Sequence, residues 1–365
     1  MKIFLFSDGG SSHTEKWVNA LIQRECRLFL FSLRKFSPAI QNLIDKGVME
    51  GVHMDQFIQS NASAFQKSTY LKVIPFARKM IRQFKPDLVH AHYISSYGLL
   101  ALFCHPRNYV LSVWGSDVMV FPNRSNIHKW VCKLILRQAK QVWSTSDLML
   151  KIVQSLAPKT PSIQIPFGVD VLSFSPQTIE EKSGLSFGTV KGLAPTYGID
   201  IALKAFLLLE SKYPEYPLSF HLFGDGPIRG ELEEIAGKSL DKSIVFHGRI
   251  PHSEVPNAIR SLDVVVNISR SESFGVTVLE ASACEKPVIV SSKGGLPETL
   301  IPDTTGIMIP SLDAASCFLA MESLMVASKR KRMGEEGRKF VLKNYDWKKN
   351  ADLQIAEYAR LVNSK

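Results

Sequence analysis

The sequence predicts an α/β protein built from two doubly wound, parallel-sheet domains facing a cleft, and three observations lead there. The chain has 365 residues and is 45% hydrophobic, more than one core of ~250 to 300 residues usually organises. Apolar strand-like runs alternate with amphipathic helical stretches, as expected of parallel strands joined by crossover helices. That alternation occurs twice, with a proline- and glycine-bearing break between the two series.

In the first series the expected strands are KIFLF, RLFLFSL, LVHAH, YVLSVW and QVWST, with helices between them such as one running from Thr14 towards Arg24. The segment IPFGVDVLSFSP, with Pro166, Gly168 and Pro176, interrupts the rhythm, so the domains are expected at residues 1–170 and 171–346. The second series reads SFGTV, LSFHLFG, SIVFHG, DVVVNIS and KPVIVS. The last segment, residues 347–365, has Leu353, Ile355, Ala356, Tyr358 and Leu361 at helical spacing and is expected to pack back on a domain, the first in particular.

Composition narrows the setting. No window approaches the ~18 apolar residues of a membrane span, and the apolar run of MKIFLFSDGG is too short for a secretory signal and reads as a first buried strand. Cys26, Cys104, Cys132, Cys284 and Cys317 are widely spaced and form no C-x-x-C pair, which points to a reducing cytosol rather than a disulfide framework or zinc knuckle. The net charge of +10 is uneven: residues 1–170 hold 21 Lys and Arg against 10 Asp and Glu, and residues 171–365 hold 23 against 24. An anionic partner for the first half follows, and membrane lipid, nucleic acid or an anionic polymer would each satisfy it.

Two stretches carry much of that charge, FARKMIRQFKPD and NRSNIHKWVCKLILRQAK. No aromatic stacking motif or groove-reading module accompanies them, so no nucleic acid is expected. In the second, Ile127, Trp130, Val131, Leu134 and Ile135 fall at helical spacing and read as a face packed on the sheet, with the cations outside. Such a positive face suits an anionic membrane surface.

Ligands of open parallel sheets bind beyond the carboxyl ends of the strands, so the turns after each strand are the informative ones. After KIFLF, Gly9 and Gly10 permit close approach of a ligand, or simply make a tight strand-to-helix turn. After LSFHLFG, Gly224 and Gly226 resemble a dinucleotide fingerprint without its third glycine. After DVVVNIS comes SRSESFGVTVLEASACEKPVIVSSKGGLPE, where a helix beginning near Phe274, Gly275 and Val276 offers unpaired N–H groups to a phosphate. Glu280 lies four residues beyond Val276, ~6 Å further along the same face, and can meet both hydroxyls of a ribose. Glu272 stays in the loop, on the side of a sugar attached beyond the phosphates. The plainer reading makes Glu272 a solvated loop acid and Glu280 a surface helix residue, and spacing alone leaves both open.

The segment SESFGVTVLEASACEKPVIVSSKGGLPETL resembles the donor-site signature of family 4 retaining glycosyltransferases, which have the GT-B fold of two Rossmann-like domains. GGSSHTEKWVNAL, DLVHAHY, SVWGSDV, STSDLML, IPFGVDVLSFSP, GLAPTYGIDIALKAF, HLFGDGPIRGELEEIA and IVFHGRIPHSEVP follow in the family's order, so the match spans nearly the whole chain. The resemblance implies that Glu280 binds the nucleotide ribose and Glu272 the donor sugar. Backbone at Gly275 and Val276 would hold the distal phosphate, with Gly9 and Gly10 closing from the other domain. Gly224, Gly226, Arg249, Ser273 and Phe274 complete the implied donor site. The chain departs from the pattern where the family commonly has two diphosphate cations: it shows Lys191-Gly192-Leu193 where a glycine-arginine pair precedes the leucine, and Tyr197 where a lysine usually stands. Lys191 is the candidate replacement. Trp114 stands where a histidine is common and, with His92, would line the acceptor and sugar cleft, while Asp117 and His13 join Glu272 as candidate catalytic groups.

The implied activity moves a sugar, from UDP in preference to GDP, to a hydroxyl of a lipid-linked glycan or cell-surface polysaccharide precursor such as lipopolysaccharide, at the inner face of a membrane. The chain contains no D-x-D sequence, so no metal or other cofactor is expected. Two alternatives are a catalytically inactive GT-B binding protein and a metal-dependent hydrolase using His90 and His92, with His221, His247 and Asp263 recruited as further ligands.

Overall fold

The structure, a computed structural model, describes residues 1–55, 72–104, 106, 108–177 and 184–364. The chain forms two compact units, Met1–Pro166 with Lys348–Lys365, and Phe167–Trp347. The division falls four residues before the boundary expected from the Pro/Gly break.

Among the described residues the first unit holds seven strands: β1 (Lys2–Phe6), β2 (Arg27–Ser32), β3 (Glu50–His53), β4 (Leu88–His92), β5 (Tyr109–Val113), β6 (Gln141–Ser144) and β7 (Ser162–Gln164). They are all parallel, in the order β3-β2-β1-β4-β5-β6-β7. The second unit has β8 (Leu185–Val190), β9 (Leu218–Phe223), β10 (Ile244–Gly248), β11 (Val264–Asn267), β12 (Val288–Ser291) and β13 (Gly306–Ile309), in the order β10-β9-β8-β11-β12-β13. Both are doubly wound Rossmann-like sheets, and in each the strand order reverses beside the first strand, where such sheets open a crevice for ligands. The two doubly wound, parallel-sheet domains read from the sequence are therefore observed. Central strands are continuous apolar runs because helices cover both faces. In the first core Phe4 stacks on Phe29 at 4.9 Å and meets Phe6 edge-on at 5.0 Å.

Register places the candidate residues. Phe6 pairs with Ala91 and His92 with Ser112, so Ser7, His92 and Trp114 emerge together at the carboxyl edge. Val190 pairs with Phe223, so Lys191 emerges beside Gly224.

The helix Trp347–Asn363 packs on the first unit. Tyr358 is fully buried there; its hydroxyl lies 2.5 Å from His90 Nδ1 and its ring 4.8 Å from that of Trp143. Arg24 Nε donates to Asp352 at 2.8 Å, and Lys140 Nζ to the Leu361 carbonyl at 2.7 Å.

Three strands lie outside the sequence reading: β3, β7 and β13. The reading of helix Asn126–Gln138 is corrected as well. Its buried residues are Cys132, Ile135 and Leu136, whereas Ile127 and Trp130, expected against the sheet, are 73% and 61% exposed. Among the described residues no helix is long and apolar enough to cross a membrane.

Candidate functional site

In the second unit the helix Val276–Ala283 starts from Gly275, whose φ of +106° is a left-handed conformation that side chains resist. No side chain caps this end. The loop before it, carrying Glu272 to Phe274, is braced from behind by Gly294 and Gly295. Gly295 N donates to the Glu272 carbonyl at 3.0 Å, and a Cβ on Gly294, at φ +63°, would sit 1.9 Å from that same oxygen. The second glycine pair of the motif thus positions the Glu272 loop. Glu280 is buried at 6% exposure, so it is not the surface helix residue of the plainer reading.

Glu272 is not a solvated loop acid either. Its Oε2 forms an ion pair with Lys191 Nζ, both side chains being largely buried, and Ser269 Oγ donates to the same oxygen at 3.3 Å. The Lys191 ammonium also lies 4.6 Å from the centre of the Tyr197 ring, within cation–π range. Tyr197, standing where a cation was expected, therefore shelves the one that Lys191 supplies. Lys191 reaches inward from its early position because it leaves the end of β8 into a turn, its N–H donating to the Phe223 carbonyl at 3.0 Å.

A second brace was not read from the sequence. Arg270 makes a forked pair with Asp200 at 2.8 and 2.7 Å, and its backbone N–H meets the Thr196 carbonyl at 2.7 Å. This ties the Tyr197 turn to the Glu272 loop and holds the Asp200 carboxyl below its ordinary range, chiefly through the Arg270 hydrogen bonds. An Arg-to-Asp pair separated by 70 residues leaves no periodic or local signal.

Beside these groups is a cavity of about 630 Å³ lined by Lys191, Gly192, Phe223, Gly224, Gly226 and Arg249, among others. Gly224 and Gly226 are there because two turns pack backbone to backbone: a Cβ on either would lie 1.8 Å from the Lys191 carbonyl oxygen or 2.2 Å from that of Leu193. Their first role is to let the turn after β9 lie on the turn after β8.

The first unit gathers a different set. Ser7 Oγ sits 2.8 Å from His92 Nδ1 and 2.7 Å from Thr14 Oγ1. The His92 ring is 4.3 Å from that of Trp114, which is 6.0 Å from that of His13, so these three form one aromatic series at the carboxyl edge. His92 is held neutral, first by burial and then by the neighbouring His90 and His13. Gly9 N donates to Ser32 Oγ, at the end of β2, at 2.9 Å and Gly10 N to Asp8 Oδ1 at 3.0 Å, so this turn is held within the first unit. Asp117 is fully buried, and its oxygens accept from the backbone N–H of Ile94, Trp114 and Gly115 at 3.0, 3.2 and 2.8 Å. Its place is that of a positioning residue for the Trp114 turn, with burial raising its pKa against those hydrogen bonds.

The hydrolase alternative fails on His90. Both its ring nitrogens meet hydroxyls, Nδ1 that of Tyr358 at 2.5 Å and Nε2 that of Ser112 at 2.8 Å, and among the described residues no cluster of His, Cys, Asp and Glu is placed to hold a metal.

Two family profiles match the chain: glycosyl transferases group 1 over residues 174–340, and glycosyl transferase 4-like over residues 2–146. The chain belongs to the group 1 glycosyltransferases, of GT-B fold. It is 26% identical over 268 residues to an uncharacterised glycosyltransferase of Methanocaldococcus jannaschii, covering 72% of each chain. It is 28% identical over 216 residues to a GDP-mannose-dependent phosphatidylinositol monomannoside mannosyltransferase of Mycolicibacterium smegmatis, covering 54% of this chain and 56% of that one. The chain thus spans little more than half the length of several relatives it matches. Among solved structures, Anabaena HepE in complex with UDP and glucose superposes with a TM-score of 0.77 at 16% identity, over 99% of both chains. Sucrose-phosphate synthase of Thermosynechococcus elongatus superposes with a TM-score of 0.80 at 18% identity over the whole of both. Identities this low speak to the fold alone.

Proposed function

We propose that this glycosyltransferase moves a hexosyl group from a nucleoside-diphosphate sugar, UDP-linked in preference to GDP-linked, to a hydroxyl on a lipid-linked glycan or polysaccharide precursor, with retention and without a required metal. The observation that carries the reading is the second unit's helix end, where uncapped N–H groups at Gly275 and Val276 stand between the buried Glu280 and the paired Glu272. A diphosphate on that helix end is favoured by the dipole and the unpaired donors. Glu280 then takes the ribose hydroxyls and Glu272 the sugar, while Lys191, released in part from Glu272, neutralises the leaving phosphate. In the reaction the acceptor oxygen bonds to the anomeric carbon as the bond to the phosphate oxygen breaks on the same face. The acceptor proton passes to a phosphate oxygen, so the protein chiefly orients reactants and stabilises charge. The lipid-bound acceptor is supported by the inositol lipid named for the mycobacterial relative and by the basic first half. It places the enzyme peripherally at the cytoplasmic face of a membrane.

Thermal unfolding with UDP, GDP and their common sugar conjugates, each with magnesium and with EDTA, tests this. A nucleotide at about a hundredfold excess over its Kd stabilises by ~2.7 kcal/mol. A shift with one nucleotide family that survives EDTA and disappears in Glu280→Ala is expected. A wild-type protein indifferent to every nucleotide sugar would instead favour an inactive GT-B binding protein.

A further inference from the structure

The helix Asn126–Gln138 turns two stripes outward. With 100° per residue, the buried Cys132, Ile135 and Leu136 mark one side, and Trp130 falls close to the middle of the opposite one. Ile127, Trp130 and Leu134, spaced by three and four, make an apolar stripe in which Ile127 and Trp130 are 73% and 61% exposed. Lys129, Lys133 and Arg137, spaced by four, run alongside as a basic stripe. Arg124 stands just ahead of the N-cap Ser125, and the helix contains no acidic residue. None of these four cations is ion-paired among the described residues. Val120, 50% exposed, leads into the turn Phe121–Asn123 that packs on this helix.

Single exposed apolar residues are ordinary, but an indole at the centre of a helix's outer face, beside an unopposed row of cations, matches one kind of surface. An indole is favoured among lipid headgroups, and lysine and arginine at an anionic leaflet. Nucleic acid would satisfy the cations and leave Ile127 and Leu134 uncovered. An acidic protein would require a complementary apolar ridge. We propose that this helix lies flat on an anionic lipid bilayer, Ile127 and Trp130 entering the headgroup layer while Lys129, Lys133 and Arg137 meet lipid phosphates. The proposal deepens the reading of a lipid-borne acceptor, on which it rests, by naming the surface that meets the lipid. A single shallow helix gives weak, reversible attachment, which suits an enzyme that must leave after each transfer.

The test is flotation of the whole protein with vesicles of phosphatidylcholine alone and of phosphatidylcholine with phosphatidylglycerol, with Trp130 followed by quenching from brominated lipid. Binding is expected to need the anionic lipid and to fall with salt. Each cation removed should weaken partitioning about fivefold, so the triple variant Lys129→Gln, Lys133→Gln, Arg137→Gln should lose about a hundredfold. Ile127→Ser with Trp130→Ser should release the protein from the same vesicles, and Trp130→Phe should stay bound but lose most of the quenching. Unchanged binding in the Ile127 and Trp130 variant would overturn the proposal. So would binding to soluble polyanions equal to that on vesicles, without quenching, which would mark an acidic macromolecular partner. All variants should keep the thermal response to UDP, so lost vesicle binding reports the docking surface and a lost UDP response reports the donor site.

Discussion

At the scale of single residues, the proposed donor site has one ammonium, that of Lys191, where the family pattern would place two cations. Lys191 is shelved on Tyr197 and paired with Glu272, so its charge is held ready in a largely buried position. Hydrogen bonds to charged groups contribute roughly 1.5 to 3 kcal/mol, so Lys191→Met should weaken UDP about ten- to a hundredfold in calorimetric titration. Binding of the nucleoside alone should be unchanged, because the ammonium acts on phosphate and the nucleoside has none. Equal weakening of both ligands would mean that the substitution had disturbed the pocket and that Lys191 does not act on the diphosphate. Gly294 is the structural counterpart. With its would-be Cβ 1.9 Å from the Glu272 carbonyl oxygen, Gly294→Ala must displace the Glu272 loop. A loss of about 1 to 3 kcal/mol in stability, with weakened nucleotide binding, is the expected result of chemical denaturation and titration.

At the scale of elements, legibility followed burial. Most of the ten strands read from the sequence are buried apolar runs, and the half-exposed edge strand β10 was still named by its apolar IVF, whereas β3 is EGVH and β7 only SIQ, both half-exposed at sheet edges without that signal; β13, GIMI, is apolar but only four residues long. The helix Asn126–Gln138 was readable as a helix but not in its orientation. Its apolar residues exceed what one face buries, and only packing decided that Cys132, Ile135 and Leu136 go inside. In the candidate site, Glu272, Gly275 and Glu280 stood out as candidates because they lie close together along one loop and helix, and the resemblance to the donor-site signature, not the spacing, favoured them over the plainer reading. The Arg270 and Tyr197 braces were not, because they join separate turns. The C-terminal helix carries a pH prediction through His90, which faces Tyr358, Ser112 and the rings of His92 and Trp143. Burial pushes its pKa down to about 3, and that of His92 is lowered as well. The unfolded chain binds protons on these groups below about pH 6.5 and the folded one does not, so stability is full above that pH and falls on acidification. The slope should approach about 1.4 kcal/mol per pH unit for each histidine. Denaturation at a series of pH values from 7 to 4.5 should show this loss, and His90→Gln should shed one histidine's share of the slope. A variant as pH-sensitive as the wild type would remove His90 from the account.

At the scale of the whole molecule, the chain leaves its first unit at Pro166 and returns to it at Lys348, so the second unit is an insertion between two parts of the first. The two crossings lie close together, since Asn350 Nδ2 donates to the Pro166 carbonyl at 3.1 Å and Val169 bridges Asp346. The second unit contains its own six-stranded sheet, its own core and all of Lys191, Glu272, Gly275 and Glu280. The first is incomplete without residues 348–365, which bury Ala351, Tyr358 and Leu361 and satisfy His90. Residues 167–347 expressed alone should therefore unfold cooperatively and keep a thermal response to UDP. Residues 1–166 alone should leave His90 and Trp143 uncovered and fail to show a cooperative transition. The same residues joined to 348–365 by a short Gly/Ser linker should recover it, because the ends to be joined are already neighbours. Calorimetry on the three pieces decides the matter. A cooperative 1–166 fragment would show that the returning helix is dispensable to the first core. A 167–347 piece that folds but ignores UDP would mean that the second unit's own residues do not suffice to hold the nucleotide.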